Sequence, residues 1–259
     1  MTKLLKTYKY IEYIDKSLDG IEYKYKIGIT ACRLAMYEIS CYFDNPDILS
    51  FPSILKEQPE FCYQSFFDTK RSVSNVHRMA SLINCLGQVK HLCDRGFDIV
   101  ECGAGPYQSS KYISKFLDRI NFRGTFHIFD TFEGHIDDTY IRKSNFKVNY
   151  SDFCRLFARY PFINTVKGSV PDSFNGQQLT NLCFINLDMN LYMPTSSALH
   201  ELWPKLLQGG IVHVDDYNIR PWPGVTEAID EFLNSLHPAS FFKYDLPLGG
   251  CFLIKFSPC

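Results

Sequence analysis

Residues 185–218 read INLDMNLYMPTSSALHELWPKLLQGGIVHVDDYN. Two apolar runs each end in acid: Asp188 closes the first, and Asp215 with Asp216 closes the second. The stretch between them has helical spacing, with Leu199, Leu202, Trp203 and Leu206 on one stripe. Pro204 is expected to end its regular part, and Gly209–Gly210 to turn the chain into the next strand. A strand, a helix and a strand in this order form a right-handed βαβ unit whose strands lie side by side or nearly so. Neighbouring strands are about 4.8 Å apart, so acids at the two tips would meet.

The same alternation extends outward in both directions. FDIVE (97–101), TFHIFD (125–130) and INTVKG (163–168) read as strands, with helical patterns in SSKYISKFLDRI (109–120) and NYSDFCRLFARY (149–160). GVTEAIDEFLNSL (224–236) is a helix after the second acidic tip. Upstream, Val76, Met79, Ile83, Leu86 and Val89 form one helical stripe that Gly96 follows as a stop. Alternating strands and helices predict a parallel sheet with helices on both faces. The last two strands, SFFKYD (240–245) and GCFLIKF (250–256), are joined by a short turn and predict an antiparallel end to that sheet.

Composition narrows the class. The chain has 259 residues, 46% of them apolar, which suits one sizeable domain with additions. A formal net charge of −1 argues against a large nucleic-acid-binding face. No apolar run reaches the ~18 residues of a membrane span. The start is too polar after Leu5 for a signal peptide, so a cytoplasmic location is expected. The ten cysteines include no CxxC pair and read as buried free thiols. Residues 1–70, rich in tyrosine and broken by Pro46, Pro52 and Pro59, carry no motif. They are expected to form a lid or oligomerisation segment before a catalytic domain over 71–259, which leaves a homo-oligomer open.

In open parallel sheets ligands bind at the carboxyl ends of strands. The first strand runs into IVECGAGPYQSS (99–110), where Gly103 and Gly105 permit a tight turn against a ligand. The next ends at Asp130, placed to accept the two hydroxyls of a ribose. A dinucleotide would favour a third glycine where Gln108 stands, and Glu101 would repel its pyrophosphate. S-adenosylmethionine, a cation without phosphate, suits Glu101 better. At the other tips, three close carboxylates repel one another by about 4 kcal/mol per pair at 4 Å and an effective dielectric of ~20. Spacing alone leaves two readings open, a solvated acidic rim and a site for a hard cation such as magnesium, calcium or manganese.

FINLDMNLYMPTSSALHELWPKLLQGGIVHVDDYN (184–218) followed by PWPGVTEAIDEF (221–232) resembles the macrocin O-methyltransferase family. IVECG, FDTFEG and VKGSVPDSF fall in that family's order, so the resemblance covers roughly residues 70–256. It implies a Rossmann-like class I methyltransferase fold and a magnesium-dependent transfer of methyl from S-adenosylmethionine to a sugar hydroxyl. It places the metal on Asp188, Asp215 and Asp216, and the cofactor acids on Glu101 and Asp130. Gly103, Gly105, Ser109, Thr131, Gly168, Ser169 and Asp188 complete the expected cofactor contacts. Asp188 and His135 are the candidate bases for the hydroxyl proton. His213, inside a strand, reads as a core histidine. The chain departs from the family pattern at Tyr107 and Gln108, where glycines are usual, and at Met189 and Asn190 in the LDGDLY-type segment. A catechol O-methyltransferase, a non-catalytic scaffold and a nicotinamide oxidoreductase are the rival readings.

Overall fold

The computed structural model describes residues 73–134, 146–246 and 249–257. The chain divides into two compact units, Met1–Asn84 and Cys85–Cys259. The account below concerns the second, together with the helix whose residues span the division between Asn84 and Cys85; the expectations for residues 1–70 and for His135 lie outside the described residues.

The helical stripe upstream of the sheet forms α1 (Val73–Gln88), with a short turn of helix, α2 (Lys90–Cys93), after it. One continuous helix was expected here, but it breaks at Val89. The chain then alternates as read: β1 (Asp98–Cys102), α3 (Gln108–Arg119), β2 (Phe126–Asp130), α4 (Tyr150–Phe157) and β3 (Ile163–Lys167). It continues with β4 (Leu182–Leu187), α5 (Tyr192–Leu202), β5 (Leu206–Val214), α6 (Pro223–Asn234), β6 (Phe241–Asp245) and β7 (Cys251–Lys255). Pro204 does end the regular helix, and a 3-10 turn at Trp203–Lys205 carries the chain directly into β5.

The seven strands form one sheet in the order β3-β2-β1-β4-β5-β7-β6. β1 to β5 are mutually parallel, and β7 runs antiparallel between β5 and β6. The antiparallel end of the sheet was legible, but the insertion of β7 inside β6 was not. Its cause is hydrophobicity: Cys251 and Leu253 on β7 are fully buried, whereas Phe242 and Tyr244 on β6 remain exposed at the edge.

One face of the sheet presents Val100, Ile185, Val212 and Leu253 to a cluster completed by Leu199, Leu202, Trp203, Ile229 and Phe232 from the α5 and α6 side. Leu199 and Leu202 of the stripe read from the sequence are the buried side of α5, whereas Trp203 falls in the 3-10 turn and Leu206 already opens β5, which also takes in Gly209 and Gly210. The opposite face carries an unusual row. Glu101 on β1, Asn186 on β4 and His213 on β5 are in register and all buried. The described cysteines are free thiols, and all but Cys154 are buried. No described helix is long and apolar enough to cross a membrane.

Candidate active site

The strands end in step, and backbone hydrogen bonds continue one rung past each end. Gly168 N donates to Asp130 O (2.9 Å), Gly103 N to Phe129 O (2.8 Å), Asp188 N to Cys102 O (2.9 Å) and Asp215 N to Leu187 O (3.0 Å). The parallel register thus sets the glycine turn and the acids side by side along one edge. The contact is close: a Cβ on Gly103, whose φ is +87°, would lie 2.0 Å from the carbonyl oxygen of Asp188. Only glycine fits there.

A cleft of about 660 Å³ opens over this edge, within the ~300–1,000 Å³ usual for small-molecule sites. Of the residues expected at the cofactor, Gly103, Gly105, Asp130, Thr131, Gly168, Ser169 and Asp188 line it. Glu101 and Ser109 do not; both are buried beneath the turn. Asp215 and Asp216 also lie behind the wall, each 4% exposed. The sequence reading missed the far half of the cleft, made by Tyr192, Met193, Pro221, Trp222 and Glu227. The PWPG segment that opens α6 was the available signal, since two prolines and a tryptophan before a helix make an exposed apolar ridge.

Asp130 does more than present a carboxylate to solvent. Its Oδ2 accepts from the backbone N–H groups of Ala104 (2.7 Å) and Gly105 (3.0 Å), and its Oδ1 from Phe132 (2.5 Å). These charge-assisted bonds brace the glycine turn from the neighbouring strand. Glu101 is held from both sides: Ser110 Oγ donates to Oε2, and Asn186 Nδ2 to Oε1 at 2.9 Å. Asn186 Oδ1 in turn lies 2.8 Å from His213 Nδ1, which places the proton on that nitrogen. So His213 is a buried core histidine whose Nδ1 is held by Asn186. Burial pushes the Glu101 carboxyl up from 4.5 to about 7, against the hydrogen bonds that favour its ionised form; the Asp188 charge adds to the rise.

The departures from the glycine pattern have conformational consequences. Tyr107 sits at φ +63°, the left-handed region that glycine occupies without strain. Asn190 also takes φ +63°, a conformation that asparagine tolerates better than most residues. Met189 lines the cleft beside the turn, its Cγ 3.2 Å from where a Gly103 Cβ would stand.

Asp188, Asp215 and Asp216 come together: each offers a carboxylate oxygen, and these oxygens lie within 4.8 Å of one another. Oxygens sharing one ion at about 2.1–2.4 Å are about 3–4.8 Å apart. Three buried or half-buried acids with oxygen donors alone fit a hard divalent cation and do not fit a thiophilic one.

Comparison with known proteins agrees with the fold. The family model for macrocin O-methyltransferase (TylF) matches residues 71–238. Among solved structures, the O-methyltransferase NovP superposes with a TM-score of 0.61 at 22% identity, covering 72% of this chain and 82% of that one. The calicheamicin methyltransferase CalS11 superposes with a TM-score of 0.56 at 19% identity, covering 81% and 93%. No curated protein matches the sequence. The matched span runs from α1 through the acidic tips to the end of α6, and the chain belongs to the macrocin O-methyltransferase family, as an S-adenosylmethionine-dependent O-methyltransferase.

Proposed function

We propose that this enzyme methylates a hydroxyl of a sugar or glycosylated natural product and that it requires a divalent cation, magnesium by preference. The observation that carries the reading is the meeting of Asp188, Asp215 and Asp216 beside the glycine turn. Left alone, unit charges at 4.8 Å cost about 3–4 kcal/mol per pair at an effective dielectric of ~20. A cation offsets that cost. When bound, it supplies Lewis acidity that lowers the pKa of an alcohol.

The chain's own residues divide the remaining work. Asp130 accepts from the ribose hydroxyls with the lone pairs its backbone bonds leave available, and its brace fixes the turn under the adenosine. Glu101 supports the turn from below through its bonds to Ser110 and Asn186. Asp188 is the one acid of the three that also lines the cleft, which supports it as the base for the hydroxyl proton; His135 is the alternative base. Trp222, Pro221 and Met193 offer an apolar wall to the acceptor, and Glu227 and Ser197 offer polar contacts at its rim. The wall also excludes water, and fixed reactants in such a cleft can gain about 7–11 kcal/mol over a bimolecular encounter.

Methyl transfer to a panel of glycosides and catechols, with and without chelator, tests the reading. Glycoside methylation that chelator abolishes and magnesium restores is expected. Full turnover in chelator, or in Asp215→Asn, removes the cation from the mechanism. Preference for catechols over every glycoside overturns the acceptor class.

A further inference from the structure

The residues behind the acids form a second constellation, which nothing above uses. Tyr217 follows Asp215 and Asp216 directly and is 4% exposed. Its hydroxyl donates to Asp230 Oδ1 on α6 (2.8 Å) and accepts from Lys243 Nζ on β6 (2.7 Å). Lys243 reaches it across the intervening β7. The ammonium also lies 4.1 Å from the centre of the Tyr217 ring and 2.9 Å from Asp245 Oδ1. At the backbone, Gly250 N donates to Tyr217 O at 2.6 Å. A Cβ on Gly250 would meet the carbonyl oxygens of Val214 (2.8 Å) and Asp215 (2.9 Å). The turn between β6 and β7 is therefore pressed onto the main chain that carries the acids.

The acid pair is thus fixed at both ends. On one side Asp215 N is bonded to Leu187 O of β4. On the other, Tyr217 is gripped by α6, β6 and the turn. Asp216 lies between these two anchors and has no regular strand to hold it, since β5 ends at Val214. Two carboxylates that repel each other will splay apart unless the backbone beneath them is restrained.

We propose that Tyr217, clamped by Lys243 and Asp230, is a positioning residue that sets the cation affinity of the acidic site. Its hydroxyl touches no reactant. It acts by keeping Asp215 and Asp216 within coordinating distance of Asp188 before the ion arrives, so that binding need not order them. The inference rests on the cation reading given above.

The test is manganese titration of the full chain, followed by paramagnetic resonance, in the presence of S-adenosylhomocysteine. Tyr217→Phe keeps the buried ring and loses both hydroxyl bonds; Lys243→Met keeps the stem and loses the charge. Each should weaken manganese binding about tenfold, which is about 1.4 kcal/mol. The double variant should be little worse than either, because both changes break one linkage. Affinity for S-adenosylhomocysteine should stay within about twofold of the parent, which a general loosening of the fold would not allow. Manganese affinity unchanged in both variants overturns the clamp while leaving the cation site standing. A parallel fall of both ligands overturns it too, in favour of plain destabilisation. Absence of manganese binding by the parent protein overturns the cation reading and the clamp with it.

Discussion

Glu101 gives a prediction whose sign and size follow from its surroundings. It is a fully buried carboxyl on a central strand, held by Ser110 and Asn186. Burial raises it from 4.5 to about 7 in the folded chain. The unfolded chain has the ordinary value. Between these two values the folded state holds the proton and the unfolded state has lost it. The stability this contributes is complete below about pH 4.5 and is lost as pH rises through 7. At about 1.4 kcal/mol per pH unit, the loss reaches about 3 kcal/mol. Glu101→Gln removes the titration and keeps an oxygen to accept from Asn186. The variant should therefore be more stable than the parent by about 3 kcal/mol at pH 8, and by only about 1 kcal/mol at pH 5. Urea denaturation of both proteins at the two pH values measures this. A stability difference that is the same at pH 5 and pH 8 would refute the argument, since it would mean that the carboxyl does not titrate in this window.

Three further outcomes are expected. Asp130→Ala should weaken S-adenosylhomocysteine binding about ten- to a hundredfold by calorimetry, because one charged acceptor is worth about 1.5–3 kcal/mol. The same change should also lower the melting temperature, because it frees the N–H groups of Ala104, Gly105 and Phe132; an unchanged melting temperature would remove the brace. Tyr107→Gly should stabilise the fold by about 0.5–1 kcal/mol in chemical denaturation, since left-handed strain of about 1–2 kcal/mol is relieved and about 0.5–1 is returned as chain entropy.

The acids and the glycine turn were legible because each ends an apolar run, and a parallel sheet collects such ends on one edge. Asp130, Asp188, Asp215 and Asp216 needed no more than that rule. Their consequences were less accessible. Glu101 stands next to a glycine turn, which suggests exposure to a ligand, yet it falls on the face covered by α3. Its partner Asn186, and His213 that Asn186 holds in turn, are 85 and 112 residues away in sequence, and only strand order makes them neighbours. Strand order itself is long-range information: β1 neighbours β4 rather than β3, and nothing local says so. The clamp on Tyr217 depends on β7 lying inside β6, which a hairpin turn leaves undetermined. The contrast between CFLIK and FFKYD was the usable signal, because Lys243 and Asp245 favour an edge.

The glycine turn and the acidic cluster meet at Gly103 and Asp188, and that contact separates local from joint effects. A Cβ at Gly103 would lie 2.0 Å from Asp188 O and 2.6 Å from Asp188 C, both main-chain atoms. Carbon atoms in contact stand about 3.5–4 Å apart, so something must move by about 1 Å or more. The β4 tip cannot recede easily, because Asp188 N is bonded to β1 and Leu187 O to β5. Gly103→Ala should displace both the turn and the first of the three clustered acids. S-adenosylhomocysteine and manganese affinities should then fall together, each by about tenfold or more. Gly105→Ala is the control. Its φ of +44° imposes strain, but the new Cβ would meet only Phe146, at 3.8 Å. That variant should weaken the adenosyl ligand and leave manganese almost untouched. If Gly103→Ala instead spares manganese, the two sites are mechanically separate, and the contact between turn and acid carries no coupling.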